Sequence, residues 1–392
     1  MVVLPRSGAF CEKLAELQIP YCIIPFFGYS FSTKGVVNRI LLPLRVLRMW
    51  LVNFFAFGRL RRLCMAERAN LVFSNVSVID IGQKVAQHCG IKHLWYVREK
   101  AFGLKPWYGR AELLRRLGRA DCIVATSQLA SIVADGCDNL VVLLDPVKRK
   151  SLGLADMNQL AAEDGDEGGE SQTSPAKMWT HQEIVPNPVA MPIVNPYNCD
   201  SSAGRPYFLL CGYIAPVKGM EVAITAFAEF CNDYPEYRLL IAGDRPVEHR
   251  EYQRKLDQLV ADLGMEDNVV FLGYRQDCPE LMVYAKAYLS TSHDEGFARV
   301  VAEAMLMRCP VIVWRSPGNA ARELIESELS GYMCDEVKGL PGLMRRAVED
   351  ADFAKVLPAA YEFARDKCSP EKYAGRMLNI MLKAVNTEEA EA

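Results

Sequence analysis

HDEGFARVVAEAMLMRCPVIVW, residues 293–314, is the stretch that decides how this chain is read. Glu295 stands against Gly296, and a second glutamate, Glu303, follows eight positions later inside an apolar helical pattern. Val300, Val301, Ala304 and Met305 flank Glu303, which places its carboxylate on a helix that otherwise faces a core. A short strand, PVIVW at 310–314, comes next. A carboxylate so placed is costly unless something donates hydrogen bonds to it, and the two hydroxyls of a ribose would do so. Taken alone, the E-x7-E spacing most often marks two solvated helix residues. Its weight comes from the company it keeps: strand, glycine loop, apolar helix, strand.

Outward from that stretch the same alternation continues. YFLLCG (207–212), RLLIAG (238–243), VVFLG (269–273), AYLS (287–290) and GYMC (331–334) read as further strands, each followed by a helix or loop. Earlier in the chain, YCIIP (21–25), LVFS (71–74), HLWYV (93–97), CIVAT (122–126) and LVVLL (140–144) alternate with helical patterns such as QLASIVAD (128–135). Between the halves, AAEDGDEGGESQTSP (161–175) carries five acidic residues and reads as a solvated insertion. The expected boundary is the proline-bearing NPYNCDSSAGRP at 195–206. SPEKYAGRMLNIMLKAV (369–385) closes the pattern as a helix, with Ser369 as cap and Pro370 in the first turn. The class this implies is α/β, with two doubly wound parallel-sheet domains joined by a linker.

Composition narrows the function. A chain of 392 residues favours two domains, and a net charge of -3 gives no nucleic-acid footprint. Thirteen cysteines without a CxxC pair indicate neither a disulfide framework nor a zinc site, which fits a reducing, cytoplasmic setting. MVVLPRSGAF lacks the layout of a secretory signal. The most apolar charge-free run, MWLVNFFAFG (49–58), falls short of the roughly 20 residues needed to cross a bilayer.

Open parallel sheets bind ligands beyond the carboxyl ends of their strands. Three such ends carry chemistry here: YIAPVKG after 207–212, with Lys218; TSHDEGF after 287–290, with Glu295; and RSPGNAAREL after 310–314, with Gly318. Two helix starts and a lysine at one sheet edge suit a diphosphate, each terminus contributing roughly 0.3–1 kcal/mol.

These segments, with RLLIAGD, VVFLGYRQD, PGNAAREL and SGYMCD, resemble the donor domain of family 4 retaining glycosyltransferases, a group 1 family of GT-B architecture. The resemblance covers 205–335 and continues more weakly through LVFSNVSV, HLWYVREK and ADCIVATSQ. It implies two facing Rossmann-like domains. The first is an acceptor-side domain at 1–198 with its acidic insertion at about 151–180. A nucleotide-sugar donor domain at 205–368 follows, then a final helix at 369–392 that packs back on the first. It implies that Glu303 holds the ribose hydroxyls and that Glu295 lies by the transferred sugar. By the same likeness, the backbone of Gly296, Phe297 and Ala298 meets sugar and diphosphate, and Lys218 binds the diphosphate. Gly212, Tyr213 and Gly318 line the donor, Tyr274 and Arg275 approach the base, and Tyr96, Arg98 and Glu99 face the acceptor. The implied reaction moves a sugar from a UDP- or GDP-linked donor to a glycan or lipid-linked acceptor, as in polysaccharide biosynthesis. It proceeds with retention and without metal or other cofactor.

The departures from that pattern are specific. Tyr213 replaces the family's arginine, leaving Arg275, Arg299 or Arg315 to supply the missing cation; EGFG reads EGFA at Ala298; and Arg308 stands where glycine is usual. VVLPRSGAF looks like a second strand and its helix, so the first strand of the family is expected to be lacking. Residues 36–65 hold six arginines and no acid at helical spacing, interrupted by Pro43. That pattern suits a core-facing helix with a basic solvated side, or peripheral contact with the inner face of a membrane. A degenerate, non-catalytic sugar-nucleotide binder and an epimerase or phosphorylase on the same scaffold are the other functions the sequence allows.

Overall fold

The computed structural model describes residues 1–28, 36–75, 79–97, 112, 115–126, 185–192, 204–326 and 328–386. Arg98, Glu99, the strand and helix expected at 140–144 and 128–135, the acidic insertion and most of the linker lie outside the described residues. The chain divides into two compact units. Unit 1 is Met1–Thr126, Ala130–Ile184 and Met377–Ala392; unit 2 is Ser127–Leu129 and Val185–Arg376. Unit 2 therefore begins before the expected linker. The reason is visible at Val189, whose N–H donates to the Cys368 carbonyl (2.9 Å) and whose side chain joins the core of unit 2.

In unit 1, strand β1 (Val2–Leu4), helix α1 (Ala9–Glu16) and strand β2 (Tyr21–Ile23) form a parallel β-α-β unit. A long helix α2 (Val36–Ala66) follows, running through Pro43 rather than stopping there. Pro43 is exposed, so the carbonyl it leaves without an N–H partner can be satisfied by water. Next come β3 (Leu71–Ser74), α3 (Ile81–Cys89), β4 (Lys92–Val97) and β5 (Cys122–Ala125), the strands pairing in parallel in the order β3-β4-β5. As the middle strand, β4 buries both of its faces, and Leu94, Trp95, Tyr96 and Val97 are at most 1% exposed.

Unit 2 is a six-stranded parallel sheet. Its elements are β6 (Tyr207–Cys211), α4 (Met220–Cys231), β7 (Arg238–Ala242), α5 (Arg250–Asp262), β8 (Val269–Gly273), α6 (Cys278–Tyr284) and β9 (Tyr288–Ser290). The two-residue strand β10 (Asp294–Glu295), α7 (Arg299–Leu306), β11 (Val311–Trp314) and the short β12 (Gly318–Asn319) follow. β13 (Tyr332–Cys334), α8 (Leu340–Glu349) and α9 (Leu357–Lys367) complete the unit. Helix α10 (Pro370–Asn386) starts in unit 2 and is grouped with unit 1 from Met377 onward. Ser369 caps it, its hydroxyl accepting from Lys372 N–H at 3.2 Å.

Strand alternation builds both sides of the sheet. Phe208 and Leu210 of β6 pack with Phe227 and Phe230 of α4 and Met344 of α8. Leu209 and Cys211 point the other way, onto Val301 and Met305 of α7 and Ala364 of α9. A fully buried phenylalanine such as Phe208 would cost about 3–5 kcal/mol to truncate to alanine. The strand order is β13-β11-β9-β6-β7-β8. The chain runs outward from β6 through β7 to β8, then returns to β9 on the other side of β6. The direction of winding thus reverses between β6 and β9, and the crevice that reversal opens lies at their carboxyl ends.

Candidate functional site

At that crevice lies a cavity of about 150 Å³, lined among others by Cys211, Thr291, Lys218, Glu295, Ala298 and Arg299. Ligand pockets for molecules of nucleotide size are about 300–1,000 Å³. The cavity therefore matches a part of such a ligand, a phosphate or a sugar ring.

Lys218 arrives by a tight route. After β6 the chain makes a one-turn 3-10 helix, Pro216–Lys218, and Gly219 takes a left-handed conformation (φ 58°) to start α4. A Cβ on Gly219 would overlap the Thr291 carbonyl, so only glycine lets the start of α4 sit this close to the end of β9. The Lys218 stem runs over Gly212, and its ammonium ion-pairs with Glu295 and lies 5.6 Å from the Tyr213 ring centroid. Glu295 is positioned by the pairing of β10 with β12, in which Asp294 faces Gly318 and Glu295 faces Asn319. A side chain at Gly318 would overlap the His293 carbonyl, so this glycine serves the closeness of two strands. Among the described residues no side chain caps α7, which Ala298 enters at φ 46°, and the first-turn residues Arg299, Val300 and Val301 line the cavity.

Glu303 lies one turn further along α7, half-buried, outside the cavity lining. Burial raises its pKa above the ordinary 4.5, and Arg299 offsets part of that. Among the described residues its carboxylate has no hydrogen-bond or ion-pair partner. Nearby Tyr288 is pushed well above its ordinary pKa, by burial first, and so stays neutral beside it.

The three arginines that could stand in for the one missing at Tyr213 separate. Arg275 is forked onto Asp277 (Nε–Oδ1 2.7 Å), and Arg315 is held by Asp335 (2.5 Å). Arg299 lines the cavity, exposed, with no ion pair among the described residues. Tyr213 is 48% exposed and stacks on His249 at 6.5 Å.

The structure thus groups Lys218, Glu295, Ala298, Arg299, Gly212 and Tyr213, with Gly318 one strand away. Gly296 and Phe297 belong to the same loop, but the Phe297 side chain is core, 6% exposed, so only backbone is available there. Tyr274 (66% exposed) and Arg275 follow β8, the edge strand, two strands from the crevice. One expectation fails. Tyr96 was expected to face an acceptor, yet it is 1% exposed and stacked on Phe73 at 6.3 Å, because β4 is covered on both faces.

Sequence reasoning missed a second polar group at the start of α4. Glu221 accepts from the Tyr252 hydroxyl and pairs with His293 Nε2 (2.8 Å), whose ring meets Trp314 edge-on. His293 stands in the opening stretch itself, but its partner is 72 residues away and carried no local signal. The buried Ser290, Thr291 and Ser292 at the end of β9 were legible as an unusually polar strand exit, and were passed over.

The architecture is of the GT-B class, two Rossmann-like α/β units. Comparison with solved proteins gives the same fold. The Anabaena protein Alr3699/HepE, solved with UDP and glucose, is 18% identical, with a TM-score of 0.63 over 97% of this chain and 91% of that one. Sucrose-phosphate synthase from Thermosynechococcus elongatus is 14% identical, with a TM-score of 0.64 over 97% and 94%. Residues 200–358 match the sequence model of the family "Glycosyl transferases group 1". Among curated relatives, the N-acetyl-alpha-D-glucosaminyl L-malate synthase of Bacillus anthracis is 34% identical over 133 residues, 34% of this chain and 32% of its own length. The human alpha-1,3/1,6-mannosyltransferase ALG2 is 23% identical over 68% of this chain and 59% of its own. The chain thus spans about a third of the length of the more similar of these two.

Proposed function

We propose that this chain is a retaining hexosyltransferase that moves a sugar from a nucleotide diphosphate, UDP- or GDP-linked, to a glycan or lipid-linked acceptor. It would act without a metal, on the cytoplasmic side of a membrane. The observation that carries the proposal is Glu303: a half-buried carboxylate without a partner among the described residues, on the helix whose first residue, Arg299, lines the same cavity as Lys218. An acid left in that state needs donors, and a ribose offers two hydroxyls at the distance that a diphosphate on the helix start would set.

In this reading the diphosphate sits against the starts of α4 and α7. Lys218 exchanges Glu295 for the β-phosphate, and Arg299 takes the place of the absent arginine. As the bond from sugar to β-phosphate breaks, negative charge grows on the departing oxygen, and fixed cations and N–H groups stabilise it without reorganising. Glu295, released from Lys218, is left to orient the sugar hydroxyls. Tyr213 beside the lysine is the feature that favours the other reading, a degenerate sugar-nucleotide binder.

Calorimetry with UDP, GDP and ADP, followed by nucleotide release from the matching sugar nucleotides, separates the two. The expected result is binding of one diphosphate, lost by about tenfold or more in both Lys218→Ala and Glu303→Ala, in line with the loss of a charge-assisted contact. Unchanged affinity in both variants would falsify the site. Binding without turnover across a panel of sugar acceptors would favour the degenerate binder.

A further inference from the structure

Helix α2 presents a problem that the donor site does not explain. It is long and apolar enough to cross a membrane by length and composition, since an 18-residue window within Ile40–Ala66 has a mean hydropathy of 1.6, yet only 11% of that window is buried. The absence of a spanning-length segment, expected from charge-free runs alone, is corrected here, because the helix reaches that length by including its arginines. The core-facing reading holds for one side of the helix only. Leu44, Leu47, Trp50, Leu51, Phe54 and Phe55 are each at least 53% exposed. At 100° per residue they fall on one side of the helix, a stripe about 17 Å long.

The opposite side is committed to the protein. Met49, Ala56 and Leu60 are at most 8% exposed, and the last two pack with Ile24 and with Ile81 and Val85 of α3. Asn53 both accepts from the Phe27 N–H (2.8 Å) and donates to the Phe27 carbonyl (3.0 Å), and Phe57 meets His88 edge-on at 5.5 Å. A bilayer span would strip all of these contacts and leave the Phe27 backbone groups unpaired. The helix is therefore built to lie flat, one side on its own unit and one side outward.

We infer that α2 is an interfacial anchor. Its outer stripe is immersed at the headgroup–acyl boundary of an anionic lipid surface, and Arg48, Arg59, Arg61 and Arg62 engage lipid phosphates. Charge selects this occupant. All four arginines are exposed, and no acidic residue occurs between positions 36 and 66. Arg61 and Arg62 continue the apolar stripe at the C-terminal end of the helix, where a guanidinium can fork onto a phosphate while the stripe is immersed. Trp50 at the margin of the stripe suits the boundary region. A second copy of the chain would bring the same acid-free, arginine-bearing helix and so supply no countercharge.

The test uses the full chain floated with vesicles of phosphatidylcholine alone, or mixed with phosphatidylglycerol. Binding is expected to the mixed vesicles, weakening as salt is raised. The Phe54→Ser/Phe55→Ser double variant should bind at least about tenfold more weakly. Arg59→Gln/Arg61→Gln/Arg62→Gln should lose about hundredfold, near fivefold per charge. Both variants change exposed side chains, and their nucleotide binding should match the parent, so this inference and the donor-site reading fail separately. No flotation with either vesicle overturns it. So does a concentration-dependent dimer that the double phenylalanine variant abolishes, or cell membranes that retain the protein through alkaline carbonate, as a true span would.

Discussion

At the scale of single residues, the site stores its function as unfavourable electrostatics. Glu303 is held on an apolar helix with a raised pKa and no hydrogen-bond or ion-pair partner among the described residues. Because its folded value lies above that of the unfolded chain, the native state keeps a proton that the unfolded state releases. The sign follows: the ionised carboxylate lowers stability above that window and has no effect below the ordinary 4.5. Glu303→Gln should therefore raise the melting temperature of the ligand-free protein at neutral pH, an advantage that fades as pH falls toward 4.5, while diphosphate affinity drops. A variant that melts lower than the parent at neutral pH would show that the carboxylate is paired. The spacing of the two glutamates and Lys218 was readable in the sequence because each sits beside a glycine or an apolar repeat. The ion pair of Lys218 with Glu295 was not, since 77 residues separate them.

At the scale of elements, α7 ends in a way the sequence anticipated. Arg308 stands at φ 54°, with its N–H donating to Met305 O (3.1 Å) and the Cys309 N–H to Ala304 O (2.9 Å), the paired bonds of a Schellman motif. That position favours glycine, and a side chain there costs about 1 kcal/mol. Arg308 recovers part of the cost by placing its guanidinium 4.6 Å from the Tyr361 ring centroid, worth about 0.5 kcal/mol at an exposed site. Urea unfolding should rank the variants accordingly, with Arg308→Gly more stable than the parent by about 0.5 kcal/mol and Arg308→Ala less stable by a similar amount. Equal stability of all three would mean that neither the dihedral nor the ring contact matters. Pro43 gives the opposite lesson. It reads as a break, yet α2 continues through it, because its exposed position keeps the lost hydrogen bond within reach of water.

At the scale of the whole molecule, one buried histidine links the stability of unit 1 to acid. In unit 1, His93 is 1% exposed, with Nε2 against the Ser74 hydroxyl at 2.9 Å and Nδ1 without a partner among the described residues. Burial lowers its pKa to about 3 from the ordinary 6.5. The unfolded chain takes up that proton below 6.5 while the folded chain refuses it until about 3, so the stabilisation is intact above 6.5 and is lost as pH falls through that interval. The slope approaches 1.4 kcal/mol per pH unit. Acid unfolding of unit 1 should lose this slope in His93→Gln. If the pH dependence of the variant between 6.5 and 3 overlays the parent, the histidine is not the cause.

What the sequence determined by itself was the alternation of strand and helix, the parallel α/β class, and the residues gathered at the strand ends. These follow from period-two and period-3.6 apolar patterns and from glycines, all of which are local. Tertiary structure alone decided where the winding reverses between β6 and β9, and which arginine lines that crevice. It also decided that Tyr96 is walled in and that the apolar side of α2 faces outward. Each of those depends on which surfaces are covered by segments distant along the chain, and a pattern of residue types carries no record of what will come to lie against it.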